Sequence, residues 1–142
     1  MFTHLNVHSH YSRMSGTASQ PALLTAARNQ GMNHLALTET NGLWGFIRFV
    51  QHARAAEIEP LAGVNLITNQ GEAILLAENQ GGYENICRAT SAVHDNPSQS
   101  IADVLEKHSD GLFILSHDKI TLSSLSQHIP NSHLFVELRP GM

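Results

Sequence analysis

The chain opens with four polar side chains at alternate positions, His4, Asn6, His8 and His10. If residues 4–12 form a strand, these side chains share one face of it, while Leu5 and Val7 face the opposite way into packing. Neutral imidazole is the commonest protein ligand for zinc and similar ions, so this face predicts a metal site. The alternative, which so short a pattern leaves open in a histidine-rich chain, is a row of solvated polar residues at the end of a strand.

Three further polar residues lie at or near the ends of predicted buried strands, Glu39, Asn65 and His117. Together with His8 they would fall along the carboxyl-end rim of a parallel sheet, where α/β proteins build their sites. Glu39 is the best placed carboxylate, although it could equally interact with the dipole at the amino end of the next helix.

Strands and helices alternate along the chain. Strands are predicted over residues 4–12, 34–37, 61–68, 73–77, 112–115 and 134–138. Helices are predicted between residues 19 and 31 and over residues 43–56, 83–93, 101–108 and 122–128. Ser19 and Ser100 are predicted helix caps, Gly81 and Gly82 are expected to precede the third helix, and residues 69–71 to form a hairpin turn. This order predicts one α/β domain over residues 1–142 with mainly parallel strands.

The composition narrows the possible functions. The 142 residues are 42% hydrophobic, which suffices for a core, and the net charge of −4 with eight Lys and Arg argues against a surface that grips nucleic acid on its own. Cys87 is the only cysteine, so no disulfide can form within the chain, and we expect it to pack inward. Neither a leader nor an apolar run of membrane-crossing length is visible, which predicts a soluble, cytoplasmic protein.

Four stretches resemble the polymerase and histidinol phosphatase (PHP) domain, and in particular the amino-terminal domain of bacterial DNA polymerase III alpha subunits and their error-prone relatives. In chain order they read HLNVHSHYS, GMNHLALTETNGLWGFIRFVQHARAAEIEPLAGVN, ENQGGYENICRATS and HLFVELRPG. The resemblance implies a distorted α/β barrel of seven strands with a metal cluster at its carboxyl-end rim. The chain would supply the first half or more of that barrel, so we expect a truncated barrel and a fragment of a longer parent.

The resemblance also implies a damaged metal site. The family's ligand positions fall, in chain order, on Asn6 and His8, near Ser15, which is a poor ligand, and on Glu39, Thr40, Asn65 and His117. Imidazoles are thus replaced by Asn6 and Thr40, and a carboxylate by the amide of Asn65. We therefore expect metal ligands at His8, Glu39 and His117, with weaker candidates at Asn6, His10, Asn65 and His94.

A cluster of divalent cations needs several anionic or imidazole ligands, and hydrolysis needs a metal-activated water. We therefore expect no cofactor, no catalytic residue and a degenerate structural or interaction domain in DNA replication or repair synthesis. The alternative is a zinc- or manganese-dependent phosphoesterase or 3′–5′ exonuclease that uses the three stronger candidate ligands. A stand-alone binding module unrelated to replication is a third reading.

The resemblance implies partners as well. They are the remainder of a polymerase chain and other replisome subunits, with DNA reached through the parent alone and no membrane. DNA polymerase activity would belong to that parent. An uncovered sheet edge after the last strand predicts that the isolated chain forms a homodimer or is poorly stable.

Overall fold

The computed structural model describes residues 1–141 of the chain. Its helices are α1 (Gln20–Asn29), α2 (Phe46–Ala55), α3 (Gln80–Asp95), α4 (Ile101–Glu106) and α5 (Lys119–Leu125). Its strands are β1 (His34–Leu37), β2 (Glu59–Thr68), β3 (Gly71–Ala77), β4 (Leu112–Ser116) and β5 (Leu134–Val136). Among these residues, no helix has both the length and the apolar character that crossing a bilayer requires.

The five strands form one sheet in the order β1-β2-β3-β4-β5. The β1–β2 and β4–β5 pairs are parallel, while β3 is antiparallel to both of its neighbours. Four strands therefore point the same way and β3 alone is reversed, because a tight turn at Asn69 and Gln70 returns the chain onto β2. The predicted α/β class, the mainly parallel strands and the hairpin are confirmed.

The predicted strand over residues 4–12 is wrong. This segment runs beside β1 in the same direction. Backbone N–H groups of β1 and of the residue after it donate to the carbonyls of His4 and Val7. The Val7 N–H donates to the Thr38 hydroxyl instead of to a backbone carbonyl. The chain then turns where Ser12 N–H donates to the Ser9 carbonyl. Buried and exposed side chains still alternate along this segment, although it forms no ladder of backbone hydrogen bonds. Val7 and Ser9 are buried, while the side chains between and before them are more exposed.

The helices cover one face of the sheet. Buried side chains of β2, β3 and β4 pack there against α3, α4 and α5, for example Leu66, Leu75 and Ile114 against Ile86 and Leu105. A second cluster joins α1 and α2 to β1 and the amino-terminal segment. This packing holds the strand ends in place, and those ends carry the polar side chains of interest.

The opposite face of the sheet is apolar, and within residues 1–141 no helix packs on it. Its centre is Ile74 and Leu76 with Ala36, and Leu61 and Phe113 are among the partly buried side chains around them. Toward the β5 edge, the side chains of Phe135 and Val136 are 46% and 63% exposed. We call this surface the open face.

Two local predictions about α3 are wrong. Gly81 and Gly82 lie in its first turn, because Asn79 caps the helix one position before Gln80. A side chain at Gly82 would collide with the Gly111 carbonyl, so glycine there lets α3 approach the loop before β4. Cys87 is exposed, since the register of α3 turns Ile86 inward in its place.

Candidate functional site

The sheet register brings polar side chains from three strands into one row. Ile74 of β3 pairs with Leu115 of β4, and two positions further along the two strands lie Glu72 and His117. Ser116 of β4 pairs with Val136 of β5, so the next position of each strand holds His117 and Glu137. These side chains share the parity of the open face and stand at its edge, where the carboxyl ends of the parallel strands meet. We call this edge the rim.

Glu39, just beyond β1, is the most enclosed carboxylate of the rim, with 1% of its surface exposed. Its Oε1 accepts hydrogen bonds from the Ser9 N–H and the Ser12 hydroxyl, each at 2.8 Å, and its Oε2 accepts one from the Ser9 hydroxyl. All three donors are neutral, and together they satisfy a charge that burial would otherwise make costly. We call Ser9, Ser12 and Glu39 the serine–carboxylate cluster.

The same network orients His8. The Ser12 hydroxyl has one proton and gives it to Glu39, so it accepts from Thr40 N–H at 3.0 Å and from His8 Nδ1–H at 2.9 Å. This assigns the proton of the neutral ring to Nδ1 and leaves a lone pair on Nε2. Burial lowers the pKa of His8, and Arg139 adds to that effect, while the charges of Glu39, Glu72 and Glu137 oppose it. His8 is therefore a neutral imidazole at neutral pH.

Asn65 faces the free nitrogen of His8. Its amide nitrogen lies 3.5 Å from His8 Nε2, and its backbone pairs with Thr40 beside the end of β1. The side chain is 6% exposed, and its buried Oδ1 has no hydrogen-bond partner. The position at which the resemblance places a carboxylate ligand therefore holds the neutral amide of Asn65.

The second half of the rim is ionic. Arg139 Nη2 lies 2.9 Å from Glu72 Oε1 and 2.8 Å from Glu137 Oε2, and Arg139 Nε–H donates to the same Glu137 oxygen at 3.0 Å. His117 Nδ1 lies 3.2 Å and 3.5 Å from those two carboxylate oxygens. We call Glu72, His117, Glu137 and Arg139 the ionic cluster.

The groups of the ionic cluster stabilise one another's charges. Burial opposes ionisation of Glu137, but hydrogen bonds from Arg139 and Asn6 and the charges of Arg139 and His117 outweigh it, so the pKa of Glu137 is lowered. Burial likewise opposes the charge of Arg139, and the two carboxylates outweigh it and raise the pKa of the guanidinium. Asn6 joins this half of the rim because its amide donates to Glu137 Oε1 at 2.7 Å.

Two weaker sequence candidates lie outside both clusters. His10 is exposed, and its ring stacks on Tyr11 with 4.5 Å between the ring centroids. His94 is exposed at the end of α3, where its Nε2 lies 2.6 Å from the Asn41 carbonyl. Sequence reasoning missed the roles of Glu72, Glu137 and Arg139, since nothing in the local pattern shows that β3 and the segment after β5 will bring them together.

The residues present do not fit a cluster of divalent cations. Within residues 1–141, no three His, Cys, Asp or Glu side chains are arranged to hold a metal ion. Glu39 is turned toward the serines, and the point on which Glu72 and Glu137 converge is taken by Arg139. Metal binding at His8, Glu39 and His117 stays a prediction.

Comparison with solved structures agrees with the fold. An amidohydrolase from Chromobacterium violaceum superposes with a TM-score of 0.54 and 18% sequence identity, over 66% of this chain and 33% of that one. Both the likeness and the topology describe an α/β fold. The PHP domain family matches residues 4–135, so the chain belongs to that family, as the motifs predicted.

Two relatives of similar sequence are DNA polymerase chains. The DNA polymerase III subunit alpha of Borreliella burgdorferi is 33% identical over 135 residues, which cover 81% of this chain and 12% of that protein. The error-prone DNA polymerase of Symbiobacterium thermophilum is 38% identical over 94 residues, or 66% of this chain and 9% of that protein. The chain therefore spans 12% or less of the length of these relatives.

Proposed function

We propose that this chain is a cytoplasmic, non-catalytic PHP domain that serves a DNA polymerase III alpha-like chain as a structural and interaction module in DNA replication or repair synthesis. The similarity to DNA polymerase III alpha subunits and to an error-prone DNA polymerase supports the association with a polymerase. Polymerase activity and contact with DNA then belong to the longer protein.

The state of Glu39 supports the non-catalytic part of the proposal. Metal-dependent phosphoester hydrolysis needs carboxylate oxygens that are free to bind cations and activate water. Both oxygens of Glu39 instead accept hydrogen bonds from Ser9 and Ser12 in a site that excludes solvent. The carboxylate thus organises the amino-terminal segment, and no zinc or manganese is part of the proposal.

The open face supports an interaction role. Its apolar side chains, with Phe135 and Val136 toward the edge, suit the remainder of a polymerase chain or a replisome subunit better than they suit DNA. The net charge of −4 agrees with this, because DNA phosphates attract basic surfaces. In the isolated chain we expect two copies to meet through this face as a homodimer.

One observation favours a second candidate, a zinc- or manganese-dependent phosphoesterase or 3′–5′ exonuclease. Ser12 holds His8 by Nδ1 and leaves Nε2 with its lone pair in the rim. Metal-binding imidazoles are commonly held in this way, with one nitrogen bonded to the protein and the other free.

Elemental analysis of the untagged protein, with phosphoesterase and single-strand exonuclease assays on the same sample, separates the two candidates. The proposal expects far less than one equivalent of zinc, manganese or iron, and no activity after each metal is added back. Stoichiometric metal and activity that both disappear in His8→Ala would overturn it. His34→Ala is the matched control, because His34 is exposed at the start of β1 and bonds only to the neighbouring Asn33 side chain.

A further inference from the structure

We infer that Arg139 is the built-in cation of this domain, occupying with its own guanidinium the place among carboxylates that a divalent ion would take. A single nitrogen, Nη2, lies within 3 Å of one oxygen of Glu72 and one oxygen of Glu137. His117 Nδ1 faces the same two oxygens. Two carboxylates thus converge on one positive nitrogen.

The charge of the ionic cluster explains why a cation is needed. Glu72 and Glu137 are carboxylates whose side chains are 22% and 13% exposed. Two like charges brought together away from bulk water destabilise each other unless a cation lies between them. Arg139 supplies that charge, and its planar guanidinium presents donors to both carboxylates in a fixed geometry.

The surroundings of Arg139 differ from those of the other arginine ion pairs. Arg28–Glu57 and Arg88–Glu84 each join two groups that are more than half exposed, and such pairs contribute little to stability. The Arg139 side chain is 34% exposed and contacts two carboxylates rather than one. An arginine in this position acts on several elements at once.

Arg139 contacts two carboxylates that together link four parts of the fold. Glu72 lies near the start of β3, His117 follows β4 and Glu137 follows β5. Asn6 of the amino-terminal segment donates to Glu137 as well. A guanidinium that holds Glu72 and Glu137 therefore fastens the rim without any ion from solution.

This inference rests on the proposed function in one respect, namely that the rim of the natural protein holds no divalent cation. The test compares the natural chain with Arg139→Gln, and uses Arg88→Gln as the matched control. Thermal unfolding is followed with EDTA or with MnCl2 alone, since carboxylate ligands suit manganese. Calorimetric titration with MnCl2 measures binding directly.

We expect the melting temperature of the natural chain to be the same in EDTA and in millimolar MnCl2. Arg139→Gln should melt about 5 °C lower, because it leaves two neighbouring carboxylates without their cation. It should regain at least about half of that loss in MnCl2 and bind manganese at least about 100-fold more tightly than the natural chain. Arg88→Gln should change neither quantity.

Two further variants keep the test decisive if Arg139→Gln does not fold. Arg139→Lys retains the charge and should fold without gaining manganese affinity. The double variant Glu72→Gln with Arg139→Gln removes one negative and one positive charge, so it should be more stable than Arg139→Gln alone and should not bind manganese.

The outcomes separate the two ideas. An Arg139→Gln protein as stable as the natural chain and without manganese affinity would overturn the inference, while the proposed function would stand. A double variant no more stable than Arg139→Gln would overturn it as well. Stoichiometric metal in the natural protein, removed by EDTA with a fall in melting temperature, would overturn both.

Discussion

The two halves of the rim stabilise their carboxylates by different means. Glu39 is 1% exposed and is held by neutral hydroxyl and amide donors, whereas Glu137 is held by a guanidinium, an imidazole and an amide. In the first arrangement both donor residues lie in one short segment, and they hold a carboxylate that is 30 and 27 positions further along the chain. The second joins strands that are distant in sequence. Hydroxyl donors are insensitive to salt, while ionic partners are screened by it. The two clusters should therefore respond differently to mutation, pH and salt.

The largest effect is expected from Glu39→Ala. The substitution leaves the Ser9 N–H and two buried hydroxyls without an acceptor, and it creates a cavity beneath the amino-terminal segment. We expect the free energy of unfolding to fall by about 3 kcal/mol or more in urea denaturation. Glu39→Gln is the matched control, since it keeps the volume and one acceptor oxygen, and it should cost about half as much. A loss below about 1 kcal/mol for Glu39→Ala would show that the buried donors find other partners.

Ser12→Ala tests the link between Glu39 and His8. The hydroxyl donates to Glu39 and accepts from His8 and from Thr40 N–H, so its removal should cost about 1.5 kcal/mol. Nitrogen NMR of the imidazole should show the proton on Nδ1 of His8 in the natural chain and a mixture of tautomers in the variant. Ser15→Ala, at an exposed position of the same loop, serves as the control. A His8 ring protonated at Nε2 in the natural chain would contradict the assigned network.

Glu137→Gln sharpens the comparison through pH. The pKa of Glu137 is lowered from its ordinary value of 4.5, so the folded state binds fewer protons than the unfolded state in this range. The stabilisation is fully present above the ordinary value and is lost as the pH falls through the lowered pKa. We expect the stability of the natural chain to decline more steeply than that of Glu137→Gln below about pH 4.5, by about 0.5–1 kcal/mol after solvent screening. Parallel curves from urea denaturation across this range would contradict the role of the ionic cluster.

Salt should produce the smallest difference. Raising the ionic strength from about 0.1 M to about 1 M shortens the Debye length from about 10 Å to about 3 Å. The stability difference between the natural chain and Arg139→Gln should therefore shrink by about 0.5 kcal/mol. The difference between the natural chain and Ser12→Ala should stay constant, since its hydrogen bonds involve no ion pair. Equal salt responses of the two variants would remove the distinction between the clusters.

Features that depend on local chemistry could be predicted from the sequence. Ser19 and Ser100 cap α1 and α4 through their hydroxyls, as their positions indicated. The turn at Asn69 and Gln70 likewise follows from residues that suit a tight hairpin. The amino-terminal segment could not be predicted as well, because its alternating pattern resembles a strand while its backbone finds only part of a ladder beside β1.

The candidate site likewise has a part that the sequence predicts and a part that it does not. The ends of β1 and β4 can be located from the sequence, which therefore predicts Glu39 and His117 near one edge of the sheet, as the structure shows. His8 lies at the same edge although its predicted strand does not form. The ionic cluster depends on the register of β3, β4 and β5, which no local pattern specifies. Arg139 lies beyond β5, and its local sequence does not indicate its ionic partners. Its role follows from Glu72, which lies 67 positions earlier in the chain (139 − 72).

The order of strands in the sheet is the order in which the chain presents them, and this bears on how the molecule folds. Each strand pairs with the one before it in the chain, so each pairing closes a loop much shorter than the whole chain and costs less chain entropy than joining the chain's two ends. The hydrogen bond from Asn6 to Glu137 joins residues 131 positions apart, so it can form only after β5 is in place. We therefore expect Glu137→Gln to speed unfolding and leave the refolding rate unchanged in stopped-flow measurements. A slower refolding rate would place this contact among the first to form. During synthesis from the amino terminus, the sheet can therefore grow from β1 toward β5, and the contacts of the rim form last.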